Sequence, residues 1–321
     1  QTGDSAMLKA SYNVHHLIRR TFGQVPGGMF GADENARLGY IDPRQGVETC
    51  GLVEQMASDE IMLCMTGDPM WAEHCEEVAF NSYPAAVMPD FKALRYITCP
   101  NHAISDSKNH HPGIDNRGPF LSMNPFSSRC CQHNHAQGWP YFTEHLVLAT
   151  PDNGVATAIY AACKATVKVG DGKEITLHEE TNYPFEEGIA FTVSTDEKVA
   201  FPFYLRIPSW TQKAEVRVNG KKVSAAPVAG KYLCINREWA NGDRVELILP
   251  MSLSMRTWQV NKNSVSVDYG PLTLSLKIAE KYVEKDSRET AIGDSKWQKG
   301  ADPQKWPTTE IYPDSPWNYS L

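Results

Sequence analysis

Three cysteines and one glutamate form two short motifs that could together bind a metal ion. Cys130 and Cys131 are adjacent in the chain, and Glu48-Thr49-Cys50 lies about eighty residues upstream. Thiolates with one carboxylate suit Zn²⁺ in a tetrahedral site, and coordination removes the proton from each sulfur at neutral pH. A thiolate held in this way can be a structural ligand or a nucleophile.

The spacing of these residues restricts how the backbone can present them. Adjacent cysteines cannot both face one point from inside a regular helix, and Glu48 and Cys50 fall on different helical faces. We therefore expect both motifs at loop-to-helix junctions, where the chain can turn both side chains inward. From the residues alone, buried free thiols are an equal alternative to a metal site, and a vicinal disulfide is a third. The remaining cysteines in apolar stretches are predicted to be small core residues: Cys64, Cys75, Cys163 and Cys234.

Length and composition restrict the class of protein. The chain has 321 residues and a net charge of -7, which is long enough for two domains with hydrophobic cores. It has no Lys/Arg-rich run of the kind that binds nucleic acid, and no apolar stretch of about 20 residues that could cross a membrane. Because it begins at Gln1 without a signal region, we expect a piece of a longer protein, and compartment and oligomeric state stay undetermined.

Apolar periodicity predicts helices in residues 1–149. The helical stretches are Met7–Phe22, Val47–Met65, Met70–Tyr83 and Gln132–Leu148, the last with an interruption near Gly138-Trp139-Pro140. Gly67-Asp68-Pro69 predicts a short turn between two antiparallel helices. The polar stretch Pro89–Arg129 has no periodicity, which is typical of a functional loop or lid.

Short alternating apolar runs replace this pattern in residues 150–279. Asn219-Gly220 between two such runs predicts a hairpin, and many short strands at this spacing predict an antiparallel β-sandwich. Residues 280–321 are rich in Pro, Trp, Lys and Asp, and we predict an irregular segment that leads to a missing C-terminal part. The expected fold class is therefore a multidomain α + β protein.

These motifs, taken in order, make the chain resemble glycoside hydrolase family 127, the β-L-arabinofuranosidase-like enzymes. The resemblance rests on Pro26-Gly27-Gly28, Glu34, Glu48-Thr49-Cys50, Arg95-Tyr96, Cys130-Cys131, Thr181-Asn182-Tyr183-Pro184-Phe185, Leu205-Arg206-Ile207-Pro208-Ser209-Trp210, Val218-Asn219-Gly220 and Tyr269-Gly270-Pro271-Leu272. It implies a partial (α/α)₆ barrel of helical hairpins followed by an antiparallel β-sandwich. By this comparison the chain begins midway round the barrel.

The resemblance also implies roles for individual residues. Glu48, Cys50, Cys130 and Cys131 would hold Zn²⁺, and Cys130 would also attack the anomeric carbon of a furanoside in a retaining reaction. Glu34 would be the general acid and base. The substrate would be an oligo- or polysaccharide, with L-arabinofuranosides or related furanose side chains of plant-type glycans as the cleaved units.

Four further residues are candidates for contact with the sugar. Tyr96 matches a family tyrosine near the substrate, and His133, His135 and Trp139 follow the cysteine pair closely. The alternatives are ordinary packing for Tyr96 and a helix packed into the barrel wall for the other three. For Glu34 the alternative is a solvated loop carboxylate.

Two other functions stay open at this point. A metal site with four protein ligands and no open position is usually structural, so the chain could be a non-catalytic carbohydrate-binding relative. A hydrolase or lyase on a helical barrel that uses carboxylates or histidines is the other.

Overall fold

The computed structural model describes residues 3–21, 26–31, 45–106, 108, 122–123, 130–290 and 302–318. The helices are α1 Ser5–Thr21, α2 Thr49–Thr66, α3 Pro69–Glu77, α4 Tyr83–Ala85, α5 Cys130–Glu144 and α6 Ser287–Thr290, with a π-helical turn Val78–Ser82 and a 3₁₀ turn Gln259–Asn261. The strands are β1 Val47–Glu48, β2 Leu94–Arg95, β3 Ile97–Thr98, β4 Ser122–Met123, β5 Val147–Ala149, β6 Val155–Thr157, β7 Cys163–Val169, β8 Lys173–Thr181, β9 Gly188–Ser194, β10 Val199–Ile207, β11 Glu215–Val218, β12 Lys221–Lys222, β13 Lys231–Trp239, β14 Arg244–Ile248, β15 Leu253–Trp258, β16 Ser264–Tyr269, β17 Leu272–Leu274, β18 Glu280–Lys285 and β19 Thr308–Pro313.

Local capping signals separate α2 from α3. Gly67 adopts φ +65°, and its N–H donates to the carbonyl of Leu63, which ends α2. The Asp68 side chain accepts from the N–H of Met70, and Pro69 stands at the first position of α3. The predicted turn between two helices is confirmed.

Helix α2 packs against two helices that run in opposite directions, α3 and α5. It is antiparallel to α3, since the two-residue turn Gly67-Asp68 joins the helices and Asp59 and Glu60 of α2 contact His74 and Cys75 of α3. It also packs against α5. The N-terminal turns of α2 and α5 lie together, because Cys50 is 3.3 Å from Cys131, and His145 after the end of α5 contacts the carboxylate of Glu60. The two helices therefore run parallel and begin at the same end.

Two β-sheets follow the helices. Their strand orders are β13-β10-β6-β5 and β12-β11-β14-β9-β8-β7. Buried residues from both sheets, among them Phe191 and Val193 of one and Phe203 and Leu205 of the other, form one hydrophobic cluster. Two sheets that share one core in this way have the arrangement of a sandwich. Asn219, at φ +50°, and Gly220 form the predicted turn between β11 and β12.

The structure corrects three expectations about these elements. The sandwich is not wholly antiparallel, because β6 pairs with β10 in parallel. Residues 280–321 are not irregular throughout, since β18 and β19 pair with each other across an intervening segment. Helix α5 is not interrupted near Pro140; it continues to Glu144 because Gly138 and Phe142 are buried against the helical core.

The predicted core positions of four cysteines hold only in part. Cys75 is buried and Cys163 is half-buried, whereas Cys64 and Cys234 are exposed.

Within the described residues, no helix has the length and apolarity that crossing a membrane requires.

Candidate metal and active site

The starts of α2 and α5 bring the two predicted motifs together. Glu48 is the residue that precedes α2, Cys50 lies in its first turn, and Cys130 and Cys131 open α5. Each of the four offers one ligand atom, and these atoms all lie within 4.8 Å of one another. Glu48-Thr49-Cys50 therefore lies at a junction into a helix, as predicted, but strand β1 and not a loop precedes the helix; the residues before Cys130 lie outside the described part of the chain. The positive ends of two helix dipoles meet at the cluster, which favours negative charge on its sulfurs and carboxylate.

The distances within the cluster fit a small tetrahedral cation. The sulfurs of Cys50 and Cys131 are 3.3 Å apart, and Glu48 Oε1 is 3.7 Å from the sulfurs of both Cys130 and Cys131. Metal–sulfur bonds of about 2.3 Å in a tetrahedron separate the ligand atoms by roughly 3.8 Å. Three soft sulfur donors and one carboxylate oxygen are also a donor set typical of a zinc-type cation. The cluster could therefore bind a metal ion.

The four residues differ in their exposure. Glu48 is 5% exposed and Cys131 is fully buried, whereas Cys50 is half-buried and Cys130 is exposed. The cluster is thus closed at Glu48 and Cys131 and open at Cys130. Among these sulfurs, Cys130 is the most exposed.

The thiols are poor nucleophiles in the absence of a cation. The hydrogen bond with Cys131, together with burial, raises the pKa of Cys50 far above its ordinary value. Burial, with the contact to Cys50 and the charge of Glu48, raises the pKa of Cys130 to about 11. Both thiols are therefore protonated at neutral pH without a cation. A bound metal ion reverses this preference, because it stabilises the thiolate directly.

Residues 95 and 96 hold the Glu48-Thr49-Cys50 motif in place through hydrogen bonds to Thr49. The Tyr96 carbonyl accepts the N–H of Thr49 at 2.9 Å, and the Arg95 carbonyl accepts the Thr49 hydroxyl at 2.5 Å. The Tyr96 hydroxyl is 3.5 Å from Glu48 Oε2, and the tyrosine is buried. Tyr96 thus lies beside the cluster, and its contact with the sugar stays a prediction. The anchoring by Thr49 was not predicted, because a threonine between Glu48 and a cysteine carries no sequence signal for a contact with residues 95 and 96.

The other predicted sugar-contacting residues lie along α5 on two faces. His133 is exposed and three residues after Cys130, which puts both on the same side of the helix. His135 stacks on the ring of Tyr83 with centroids 4.5 Å apart, and burial lowers its pKa. Trp139 is 41% exposed and meets the Tyr83 ring edge-on. His135 and Trp139 therefore pack on Tyr83, a residue that sequence reasoning did not single out.

Glu34 lies outside the described residues. The chain on either side of its segment is well packed, however. Met29 is 1% exposed, and Gly31 is in direct contact with Gln45, since a Cβ on this glycine would lie 1.9 Å from Cγ of Gln45. Gln45 precedes Glu48 by three residues, so the segment that contains Glu34 begins and ends next to the strand that carries Glu48.

Comparison with known proteins identifies the class of this fold and site. Residues 1–144 match the model of the "Beta-L-arabinofuranosidase, GH127 catalytic domain", and residues 154–251 match that of the "GH127 middle domain". Together the two models span most of the chain. The protein therefore belongs to glycoside hydrolase family 127.

Solved structures agree with this assignment. A structure described as a glycoside hydrolase is 25% identical, with a TM-score of 0.72, over 88% of this chain and 49% of its own length. A GH127 β-L-arabinofuranosidase from Geobacillus stearothermophilus T6 shares the fold at 19% identity, with a TM-score of 0.72, over 97% of this chain and 55% of its own. A GH127 β-arabinofuranosidase shares it at 20% identity, with a TM-score of 0.69, over 97% and 54%. The chain thus spans about half the length of these proteins. Among curated protein sequences, none matches the chain.

Proposed function

We propose that the protein is a zinc-dependent, retaining glycoside hydrolase that releases L-arabinofuranose, or a related furanose, from side chains of plant-type glycans. Membership of family 127 supports the hydrolase class and an oligo- or polysaccharide substrate. The observation that carries the mechanism is the exposure of Cys130 in a cluster whose other members are buried or half-buried. This is the arrangement expected of a ligand that also reacts with substrate.

The proposed architecture is a partial (α/α)₆ barrel in residues 1–149, a β-sandwich in 150–279 and a C-terminal segment in 280–321. In such a barrel, helical hairpins place antiparallel helices next to each other, and the inner helices run parallel around the axis. The antiparallel α2 and α3 and the parallel α2 and α5 support this proposal.

Glu48, Cys50, Cys130 and Cys131 are the proposed zinc ligands. Their donor atoms and separations support this set. When bound, zinc would keep the coordinating sulfurs ionised at neutral pH.

The proposed reaction has two steps. The Cys130 sulfur attacks the anomeric carbon and forms a carbon–sulfur bond, while the bond from that carbon to the leaving oxygen breaks and Glu34 gives this oxygen a proton. The Glu34 carboxylate then takes a proton from water, whose oxygen displaces the sulfur. Two displacements at one carbon retain its configuration.

The remaining residues are proposed to hold the sugar. His133 shares the exposed side of α5 with Cys130, which favours it as a partner for sugar hydroxyls. Tyr96 lies against Glu48, and the exposed part of Trp139 offers an apolar surface to a sugar ring. His135 is proposed as a further sugar contact. Its imidazole ring stacks on the ring of Tyr83, which fixes its orientation.

Two substitutions test the assignment of the carboxylates. Glu34→Gln should leave zinc content and unfolding unchanged while lowering turnover of an aryl β-L-arabinofuranoside by roughly 10² to 10⁴. Glu48→Gln should lower zinc content and stability together, because metal-binding free energy is partly folding free energy. The measurements are elemental analysis, thermal unfolding and initial rates on aryl furanosides and pyranosides.

Three results would contradict the proposal. Absence of zinc from protein purified without chelator would contradict the metal site. Equal zinc loss in both variants would show that the two roles are wrongly assigned. Absence of turnover on every furanoside, with zinc present, would favour a carbohydrate-binding relative.

A further inference from the structure

A cavity of about 180 Å³ lies between residues 95–105 and strand β19. None of the four cluster residues lines it. Its polar lining includes Arg95, His102, Ser105, Glu280 and Tyr312. The volume is many times the roughly 10–15 Å³ that one water requires. The cavity can therefore hold a small polar molecule.

Arg95 brings a positive charge to this cavity. Its Nε donates to the Ser105 hydroxyl at 3.0 Å. Among the described residues, no carboxylate lies within ion-pair distance of its guanidinium, whereas Arg206 and Arg256 are paired with Glu76 at 2.5 Å and Glu77 at 2.6 Å. Burial lowers the pKa of Arg95, which is the effect of removing a cation from water without a close partner. Arg95 is half-buried, so its guanidinium reaches the cavity, and among the described residues it has no carboxylate at ion-pair distance.

Glu280 gives the cavity a second, opposite character. It is exposed, and its carboxylate accepts a hydrogen bond from the Tyr282 hydroxyl. Its charge acts on Arg95 from beyond ion-pair distance. The cavity thus offers N–H donors at Arg95 and carboxylate acceptors at Glu280. A small molecule that binds to both Arg95 and Glu280 therefore carries an anionic group and hydroxyl groups.

We propose that this cavity binds a uronic acid residue of a glycan, with the sugar carboxylate paired to Arg95 and a sugar hydroxyl donated to Glu280. A guanidinium matches a carboxylate through two parallel N–H donors. A carboxylate of Glu280 accepts from sugar hydroxyls, which a simple inorganic anion does not supply. The proposal does not depend on hydrolysis at Cys130 or on the identity of the metal.

The cavity adjoins the proposed catalytic site. Ile97 and Cys99 line it, and both pack in the small hydrophobic cluster that contains Cys131 and Cys50. A glycan held here by an acidic residue would therefore lie next to the cysteine cluster. This gives the protein a means to prefer acidic glycans independently of the sugar that it cleaves.

Calorimetric titration with D-glucuronate, D-galacturonate and D-glucose tests the proposal. We expect at least one uronate to bind about tenfold or more tightly than glucose, the ratio that one charge-assisted contact provides. Arg95→Gln should abolish this preference. Glu280→Gln should keep or increase it, since the substitution removes the opposing charge and retains an acceptor.

The matched control is Lys92→Gln. Lys92 is exposed, lies three residues before Arg95 and does not line this cavity, so the same loss of charge there should leave uronate binding unchanged. Circular dichroism checks that each variant folds. If Arg95→Gln does not fold, Glu280→Gln still tests the proposal, because a weaker preference for uronate in that variant would contradict it.

Two outcomes would overturn the proposal. Equal binding of uronates and glucose would show that Arg95 does not select a carboxylate. Binding of inorganic phosphate as tight as that of the uronates would show a simple anion site. Neither outcome would bear on zinc content or on turnover at Cys130.

Discussion

A buried ion pair connects α3 to β10, and its removal should cost much of the stability of the protein. The side chains of Arg206 and Glu76 are both 0% exposed and lie 2.5 Å apart. Glu76 also accepts the N–H of Tyr160 at 2.9 Å and the hydroxyl of Tyr183 at 2.8 Å. Burial, the largest single effect, lowers the pKa of Arg206, but Glu76 together with Tyr183, Tyr160 and Glu73 outweighs burial and raises it. Burial raises the pKa of Glu76, but the charge of the adjacent Arg206 guanidinium and the hydrogen bonds to the carboxylate oppose this and favour the ionised pair.

Arg206→Met would leave the Glu76 carboxylate buried without its countercharge. Breaking a buried pair in this way costs about 3–5 kcal/mol in free energy of unfolding. The double variant with Glu76→Gln should recover part of this loss, because no uncompensated charge remains. The assay is urea unfolding followed by circular dichroism and tryptophan fluorescence.

An exposed ion pair of the same type is the control. Lys198 and Glu238 are 3.3 Å apart with side chains 68% and 60% exposed. Lys198→Met should change the free energy of unfolding by about 1 kcal/mol or less. The reasoning would be wrong if Arg206→Met changed the free energy of unfolding as little as this control does. It would also be wrong if the double variant Arg206→Met/Glu76→Gln were less stable than Arg206→Met alone.

Two further predictions concern the helical part. Burial raises the pKa of Glu60 to about 7, although His145 lies 2.8 Å away and opposes this. Because the folded state then holds a proton more tightly than the unfolded state, stability should fall as pH rises from about 4.5 to about 7; Glu60→Gln should flatten this slope in unfolding curves, and an unchanged slope would refute the assignment. Gly138→Ala would bring a Cβ to 2.4 Å from Cζ of Tyr83, so we expect a loss of about 1–3 kcal/mol. Gly51→Ala, whose Cβ would meet nothing closer than 3.8 Å, is the control, and equal effects in thermal unfolding would contradict the packing argument.

Features set by local chemistry were predictable from the sequence. Gly67, Asp68 and Pro69 each have a known effect on helix ends, and together they separate α2 from α3. Asn219-Gly220 predicted its hairpin for the same reason. The location of the cysteine pair and of Glu48-Thr49-Cys50 at the starts of helices followed from side-chain direction alone.

Features that depend on distant segments were not predictable. The partner of β18 is β19, and the intervening residues give no local signal for that pairing. The parallel contact of β6 with β10 depends in the same way on the path of the whole chain. At the candidate site, the sequence identified the ligand types and His135 but not Tyr83, which stacks on His135 through a tertiary contact.

The central claim is that the sulfur of Cys130 forms a bond with the sugar, and mass spectrometry of a trapped intermediate tests it most directly. The protein would be incubated with a slowly hydrolysed aryl furanoside, quenched and digested, and the peptide that spans Arg129–Trp139 examined. We expect one added glycosyl residue on Cys130 and none on the exposed thiols Cys64 and Cys234. Cys130→Ser with zinc still bound should give no adduct. A label on a carboxylate, or a product of inverted configuration by NMR, would contradict the mechanism.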